Sequence, residues 1–330
     1  MTDLAIVIPA YKAAFLDATL TSIAGQTDKN FAVYVGDDNS PEDLDSIIKK
    51  FKNELDISYV KFDNNLGATE LTRQWDRCIA LTGNEKWVWL FSDDDLMEQN
   101  CVSKFREALT ETKSQHDLYR FNTKVIDAEG SIAYSNIVHP QTETSYQFAI
   151  DKLQLKRGSY VVEYIFSKQR YLESGKFICF PIAWCSDDAT WVNIGSANDI
   201  YTIAGAFVHW RYSSANLSSS LGLVAEKLEA SIQYIVWLKK WMYKNGPDDI
   251  DQVALFERSK HHWLQHQVRL LSKWFGPFES YKWSMAFSKR LSIPFFTSVL
   301  FFARQSFNNI KLELKNKLRP YLKSKSLDGY

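Results

Sequence analysis

The chain has 330 residues, 45% of them hydrophobic and 15% aromatic, with 39 basic and 39 acidic side chains. That balance excludes a disordered or fibrous chain and gives enough length for one large domain or two. The zero net charge hides an asymmetry: Lys and Arg against Asp and Glu come to −9 over residues 1–220 and +9 over 221–330, so the two segments are expected to do different work.

Four cysteines, Cys78, Cys101, Cys179 and Cys185, have no metal-ligand spacing and read as reduced thiols. Met1-Thr2-Asp3 leads straight into an apolar run without a basic n-region, and no run reaches the roughly 20 apolar residues of a membrane span. A cytoplasmic location is expected, with possible peripheral contact on the inner face of the membrane.

In chain order, "LAIVIPAY" (4–11) reads as a buried parallel strand stopped by Pro9. Residues 13–25 read as a helix with Leu16, Leu20 and Ile23 on one face. "FAVYVGDD" (31–38) is a second strand that ends in acid. "SPEDLDSIIKKF" (40–51) reads as a helix with Ser40 as N-cap and Pro41 at its first position. A strand at 57–62, the turn "NNLG" (64–67), a helix at 69–82 and a strand at 87–91 follow. This alternation implies a parallel sheet with right-handed crossovers, and ligands in such sheets gather at the carboxyl ends of the strands.

Further on, "DLYRFNTKVID" and "GSIAYSN" read as strand-turn-strand, and 156–168 is expected to be helical in its second half. Residues 177–195 run from apolar to acidic to helical, and 200–212 read as a strand. Beyond 222 the spacing of Leu228, Ile232, Ile235 and Leu238 predicts a helix, 250–275 a second, and Gly246-Pro247 a break between them.

"WLFSDDDLMEQN" (89–100) carries the strongest chemical signal. Asp93, Asp94 and Asp95 follow a core strand directly, and like charges that close repel at about 1 kcal/mol or more per pair when partly desolvated. A solvated turn is the plain alternative. A divalent cation would remove the penalty, and an all-carboxylate set suits Mg²⁺ or Mn²⁺ better than Zn²⁺. Neither GxGxxG nor GxxxxGK[ST] is present, so phosphates would be held by a metal and by cations, not by a glycine-rich turn.

The blocks "IVIPAYKAAFLDATLTSIAGQT", "VYVGDDNSPED", "NNLG" and "WVWLFSDDDLMEQN", in this order over residues 1–100, resemble the family 2 glycosyltransferases of GT-A fold. The resemblance implies an α/β, GT-A-like, mostly parallel central sheet flanked by helices. Residues 1–220 would form the transferase domain, with 1–100 its nucleotide half and 101–220 its acceptor half. Residues 221–330 would be a helical, basic, aromatic-rich region. It also implies a nucleotide-sugar donor, UDP-linked by expectation, a saccharide or lipid-linked acceptor in cell-surface polysaccharide synthesis, and Mn²⁺ or Mg²⁺ as cofactor; no nucleic-acid recognition module is visible in the sequence, so no nucleic acid is expected as partner.

Carried over by position, Pro9, Ala10 and Tyr11 would line the uracil and ribose, and Asp38 would accept from uracil N3–H. Asp94 would hold ribose or metal-bound phosphate and Asp95 the metal, with Asp93 and Asp95 as the pair in the alternative register. Trp75-Asp76 stands where the family often has Arg-Asn, which leaves Arg73 as the candidate nucleotide contact. The pair Asp187-Asp188 in "AWCSDDATW" would supply the base, with Asp188 first choice and Asp187 positioning the acceptor or acting as base itself; a helix cap is the plain alternative. Arg211 in "HWRYSSANLS" would neutralise diphosphate, His209 would meet metal or pyrophosphate, and the serine-rich loop would order over the donor. Trp184 and Trp191 could face sugar or belong to the core. The basic tail over 281–330, with net charge +8, fits an anionic lipid surface or a packed subdomain. Two rival functions remain: a catalytically silent binding scaffold of the same fold, and a nucleotidyltransferase.

Overall fold

β1 (Leu4–Ala10) is buried along nearly its whole length, as a central parallel strand covered on both faces must be. After it come α1 (Leu16–Ala24), β2 (Ala32–Asp37), α2 (Leu44–Lys49), β3 (Ile57–Lys61), α3 (Leu71–Ile79) and β4 (Trp87–Leu90). The four strands are parallel and lie in the order β3-β2-β1-β4. The computed structural model describes residues 3–212, 221–247, 249–272 and 275–303.

Beyond β4 come β5 (Leu96–Met97), α4 (Cys101–Glu111), β6 (Leu118–Ile126), β7 (Ile132–Ser135), β8 (Thr142–Glu143), α5 (Ser145–Leu153), β9 (Tyr164–Ser167), α6 (Lys168–Glu173), α7 (Ser186–Ile194) and β10 (Ile200–Arg211). The sheet continues β4-β9-β6-β10-β5. β6 and β10 are parallel to each other, β9 is antiparallel to both neighbours, and β5, β7 and β8 add antiparallel pairs. The expected α/β class with a mostly parallel sheet is present.

Two local expectations differ from the structure. The second half of 156–168 is not helical: a 3₁₀ turn at Val161–Glu163 leads into β9, whose apolar "YIFS" is buried between β4 and β6. Ser40 does not cap α2. Asp43 does, accepting from Ser46 N at 3.1 Å, while the Ser40 hydroxyl donates to Tyr11 O at 2.6 Å and so ties β2 to the end of β1.

One feature of β1 prepares the site. Its ladder with β4 ends at Val7–Leu90, and Pro9, two residues on, has no N–H to extend it. The ladder stops there, at the point where the strand order β3-β2-β1-β4 reverses, and at such a switch point open α/β sheets have their ligand crevice, at the carboxyl ends of the strands.

The chain divides into two compact units, one of Met1–Ser220 with Lys244–Pro247, the other of Leu221–Tyr243 with Asp248–Tyr330. In the second, α8 (Val224–Asn245), α9 (Ile250–Leu271) and α10 (Pro277–Leu291) are followed by a helical stretch at 295–303. Leu228, Ile232, Ile235 and Leu238 of α8 are buried as their spacing predicts, and Tyr234 meets Trp263 of α9 edge-on at 5.5 Å. Among the described residues no helix is long and apolar enough to cross a membrane. Residues 304–330 of the basic tail and 213–220 of the serine-rich loop lie outside the described residues.

Candidate active site

The crevice between β1 and β4 collects the predicted acids. Asp93 Oδ2 accepts from Tyr11 N at 2.8 Å and Lys12 N at 2.9 Å, so this carboxylate clamps the backbone leaving β1, just past Pro9 and Ala10. Asp95 is buried. Its Oδ1 accepts from Arg211 N at 2.7 Å, and its carbonyl accepts from Thr19 Oγ1 of α1 at 2.9 Å. Asp95 Oδ2, also buried, has no hydrogen-bond partner among the described residues.

Burial raises all three acids, and repulsion by a neighbouring acid adds to it for Asp94 and Asp95. Burial lifts Asp93 against its two N–H bonds. Burial and the Asp93 charge push Asp94 up to about 6, opposed by Lys12 and Arg211. Burial and the Asp94 charge lift Asp95 well above its ordinary value, against hydrogen bonds from Arg211 N and Ser92. The three carboxylates, one with a buried oxygen that has no hydrogen-bond partner among the described residues, offer oxygen donors of the kind Mg²⁺ and Mn²⁺ take. No group of three or more metal-type side chains already gathered around one point exists among the described residues.

Asp38 stands at the end of β2 and is held from three directions. Leu66 N (2.8 Å) and Arg77 Nη2 (2.5 Å) donate to Oδ1, and Gly67 N (2.7 Å) donates to Oδ2. The turn "NNLG" thus curls its amides onto this carboxylate. A Cβ on Gly67 would lie 2.6 Å from Asp38 Oδ2, which explains the glycine. Arg77 also lies over the Phe62 ring at 3.9 Å. Asp37, by contrast, is fully buried and used up by Ser40 N and Tyr59 Oη, both at 2.6 Å.

Other predicted residues lie elsewhere. Arg73 is exposed and paired with Glu70 at 2.7 Å; the arginine on Asp38 is Arg77, one helical turn later, which sequence reasoning missed. The spacing Arg73–Arg77 places both on one side of α3, but only the later one is level with the "NNLG" turn. The Arg211 guanidinium donates to three carbonyls, Asp94 O (2.7 Å), Asp127 O and Ala128 O (both 2.9 Å), and is buried. It fastens the aspartate loop to the far half of the sheet. His209 does not join the aspartates. Its Nε2 is 3.4 Å from Glu98 Oε1, and burial lowers its pKa.

The second acidic pair opens α7. The approach to it is strained: Ile182, Ala183 and Cys185 have φ of 51°, 57° and 63°, left-handed values that non-glycine residues rarely take and that cluster at functional sites. Asp188 is buried, with Lys152 Nζ 3.0 Å from its Oδ1. Asp187 is half-buried; burial, then the Asp188 charge, pushes it up to about 7 against the pull of Lys152. Trp191 is core, fully buried and stacked on Tyr164 at 4.7 Å. Trp184 is half-buried just after the turn at Pro181–Ala183.

The family model described as Glycosyl transferase family 2 matches residues 5–159. No curated protein matches the sequence. Among solved structures, the chain resembles S. aureus TarS residues 1–349 in complex with UDP-GlcNAc, at 13% identity and a TM-score of 0.58, covering 92% of this chain and 89% of that one. The same TarS fragment in complex with UDP aligns at 15% identity and a TM-score of 0.55, with the same coverage. A longer TarS structure aligns at 16% identity and a TM-score of 0.62, covering 94% of this chain and 54% of that one. At these identities the likeness is one of fold. Residues 5–159, which carry the β1–β4 crevice, are thus similar to the family 2 glycosyltransferases, on a GT-A-like sheet.

Proposed function

We propose that the chain is an inverting, metal-dependent glycosyltransferase that takes a UDP-sugar. The observation that carries this is the gathering of acids at the carboxyl ends of adjacent parallel strands, Asp38 with Arg77 after β2 and Asp93, Asp94 and Asp95 after β4, with an unpaired buried oxygen on Asp95. That similarly folded TarS structures hold UDP-GlcNAc and UDP supports the uridine donor. Asp38, fixed by two amides and Arg77, retains acceptor capacity on Oδ2 for an imide N–H. Asp93 spends Oδ2 on two backbone amides and Asp95 spends Oδ1 on one, but Asp95 keeps a buried Oδ2 with no partner among the described residues, so Asp94 and Asp95 are the metal pair in this proposal. The bound cation would neutralise charge building on the departing diphosphate.

On the acceptor side, Asp188 takes the proton of the attacking hydroxyl. The hydroxyl oxygen bonds to the anomeric carbon from the face opposite the diphosphate, and the carbon–oxygen bond to diphosphate breaks with its electron pair. One displacement inverts the configuration. Asp187 orients the acceptor. The acceptor is a saccharide or lipid-linked saccharide of cell-surface polysaccharide synthesis, and the second unit rests on anionic lipid. The face for that contact is on α10 and after it, where Phe278 and Phe296 are about four-fifths exposed. No acid occurs between Ser280 and Ala303, while Lys282, Lys289 and Arg290 do.

Calorimetry with UDP and Mn²⁺ tests the donor half. Wild type should bind UDP only with the metal present, and Asp95→Ala should lose that dependence while remaining folded. Unchanged UDP–Mn²⁺ affinity in the variant would refute the metal assignment, and a larger loss in Asp93→Ala than in Asp95→Ala would move the pair by one register.

A further inference from the structure

Two carboxylates side by side at a buried helix start cannot both ionise cheaply, so something must decide which one keeps its charge. α5 packs along α7, and from its last turn Lys152 brings Nζ to 3.0 Å from Asp188 Oδ1, the two side chains being 21% and 6% exposed. The remaining titratable groups around the pair do not compete. Tyr164 on β9 and Cys185 before α7 are both raised by burial and stay neutral, and Tyr160, which senses Lys152, is likewise raised. His139, Asp151 and Arg157 share a small cavity with Lys152. Asp151 is taken up by Lys156 and Arg157, and His139 faces Glu163 at 3.4 Å. Among the described residues, Lys152 is the cation at the acid pair.

We propose that Lys152 is a positioning residue that divides labour within the pair: its ammonium, set against Asp188 and not Asp187, fixes Asp188 as the proton acceptor and leaves Asp187 to face the acceptor. This rests on the reading of Asp187-Asp188 as the acceptor-side pair. Burial pulls the Lys152 ammonium down, but Asp188 and Asp187 outweigh it and the net direction is up, so it stays charged. Asp187, pushed up to about 7 by burial and by Asp188, is largely protonated below neutrality and can donate a hydrogen bond to an oxygen of the acceptor. During transfer the hydroxyl proton goes to Asp188, while Lys152 keeps its own. The ammonium therefore fixes which oxygen is the base without touching substrate.

The test compares Lys152→Met, Lys152→Gln and Lys152→Arg with wild type. Carboxyl titration by NMR on protein labelled with ¹³C-aspartate needs no substrate. In the neutral variants the titration of the pair should move up by about one pH unit or more, and in the arginine variant it should stay near wild type. In transfer assays the acidic limb of the kcat profile should move up by the same interval, with recovery at higher pH. UDP–Mn²⁺ affinity should not change. Equal loss of kcat at every pH, with the carboxyl titration unmoved, would overturn the proposal and leave Lys152 a packing residue. If wild type transfers no sugar, the transferase reading of the pair falls, while the titration still decides whether Lys152 sets its charge. Using both methionine and glutamine guards against a variant that does not fold.

Discussion

Asp38 is a carboxylate with two duties. It ties the "NNLG" turn and Arg77 to the end of β2, and in the proposed function it reads the base. Arg77→Ala should therefore lower UDP affinity by about tenfold or more, because a nearly buried acid loses its cation and its orientation. Arg73→Ala should change affinity less than twofold, since its Glu70 pair is exposed. Calorimetry separates the two, and the opposite order would return the nucleotide contact to Arg73. Asp187→Asn makes a signed prediction about stability. Its folded pKa is raised from 3.8 to about 7, so wild type has the associated stability in full below about pH 4 and loses it as pH rises to 7. The asparagine variant does not titrate there, so its melting temperature relative to wild type should climb between pH 4 and 8. A flat difference would mean that Asp187 ionises freely. At this scale the acids were legible in the sequence because like charges at strand ends demand a reason. Arg77 was not, because which arginine on a helix meets Asp38 depends on the level of a turn elsewhere in the chain. Arg211 stood out in the sequence, but what it holds did not. Its guanidinium binds three carbonyls, and carbonyl positions leave no mark in a sequence.

β1, β2 and β4 of the nucleotide half were readable because each is an apolar run with Pro or Asp at or within three residues of its end. β9 was not. "VVEYIFS" is a short apolar run, and such runs do not distinguish helix from strand by period; only its place between β4 and β6 decides. Two glycines show how tightly the elements are fitted. A Cβ on Gly36 of β2 would lie 2.3 Å from Cys78 Sγ of α3, so Gly36→Ala should push helix from sheet and cost about 1–3 kcal/mol, measured by denaturant unfolding. Gly67→Ala should instead leave the global stability nearly unchanged, disturb Asp38, and weaken UDP binding. If both variants lose only stability, the "NNLG" turn has no part in recognition. Trp191, flanked by Tyr164, Phe166 and Phe177, belongs to the packing of α7 on the sheet, and its truncation to Ala should cost about 3–5 kcal/mol.

Across the whole molecule the charge asymmetry divides near the boundary between the two compact units. The acidic unit holds the crevice, and the basic unit exposes aromatic side chains on α10 and beyond. Wild type should co-sediment with vesicles rich in anionic phosphatidylglycerol and not with neutral phosphatidylcholine. Replacing Phe278 and Phe296 by Ser should weaken that binding and leave UDP–Mn²⁺ affinity intact. Equal sedimentation of wild type and variant would assign those side chains to something other than lipid.

The bond from Arg211 N to Asp95 Oδ1 spans 116 positions of sequence. It has a consequence in time. During synthesis the first four parallel strands can pair as soon as they leave the ribosome, but Asp95 stays without this amide until β10 has been made and has crossed to the far side of β6. The family match ends at residue 159, so a chain cut there would carry every acid of the crevice and still lack the strand that secures one of them. On the proposed function, the nascent enzyme is thus inert towards cellular nucleotides until residue 211 has been made, and the late, non-local closure of β10 sets the pace at which the crevice is finished.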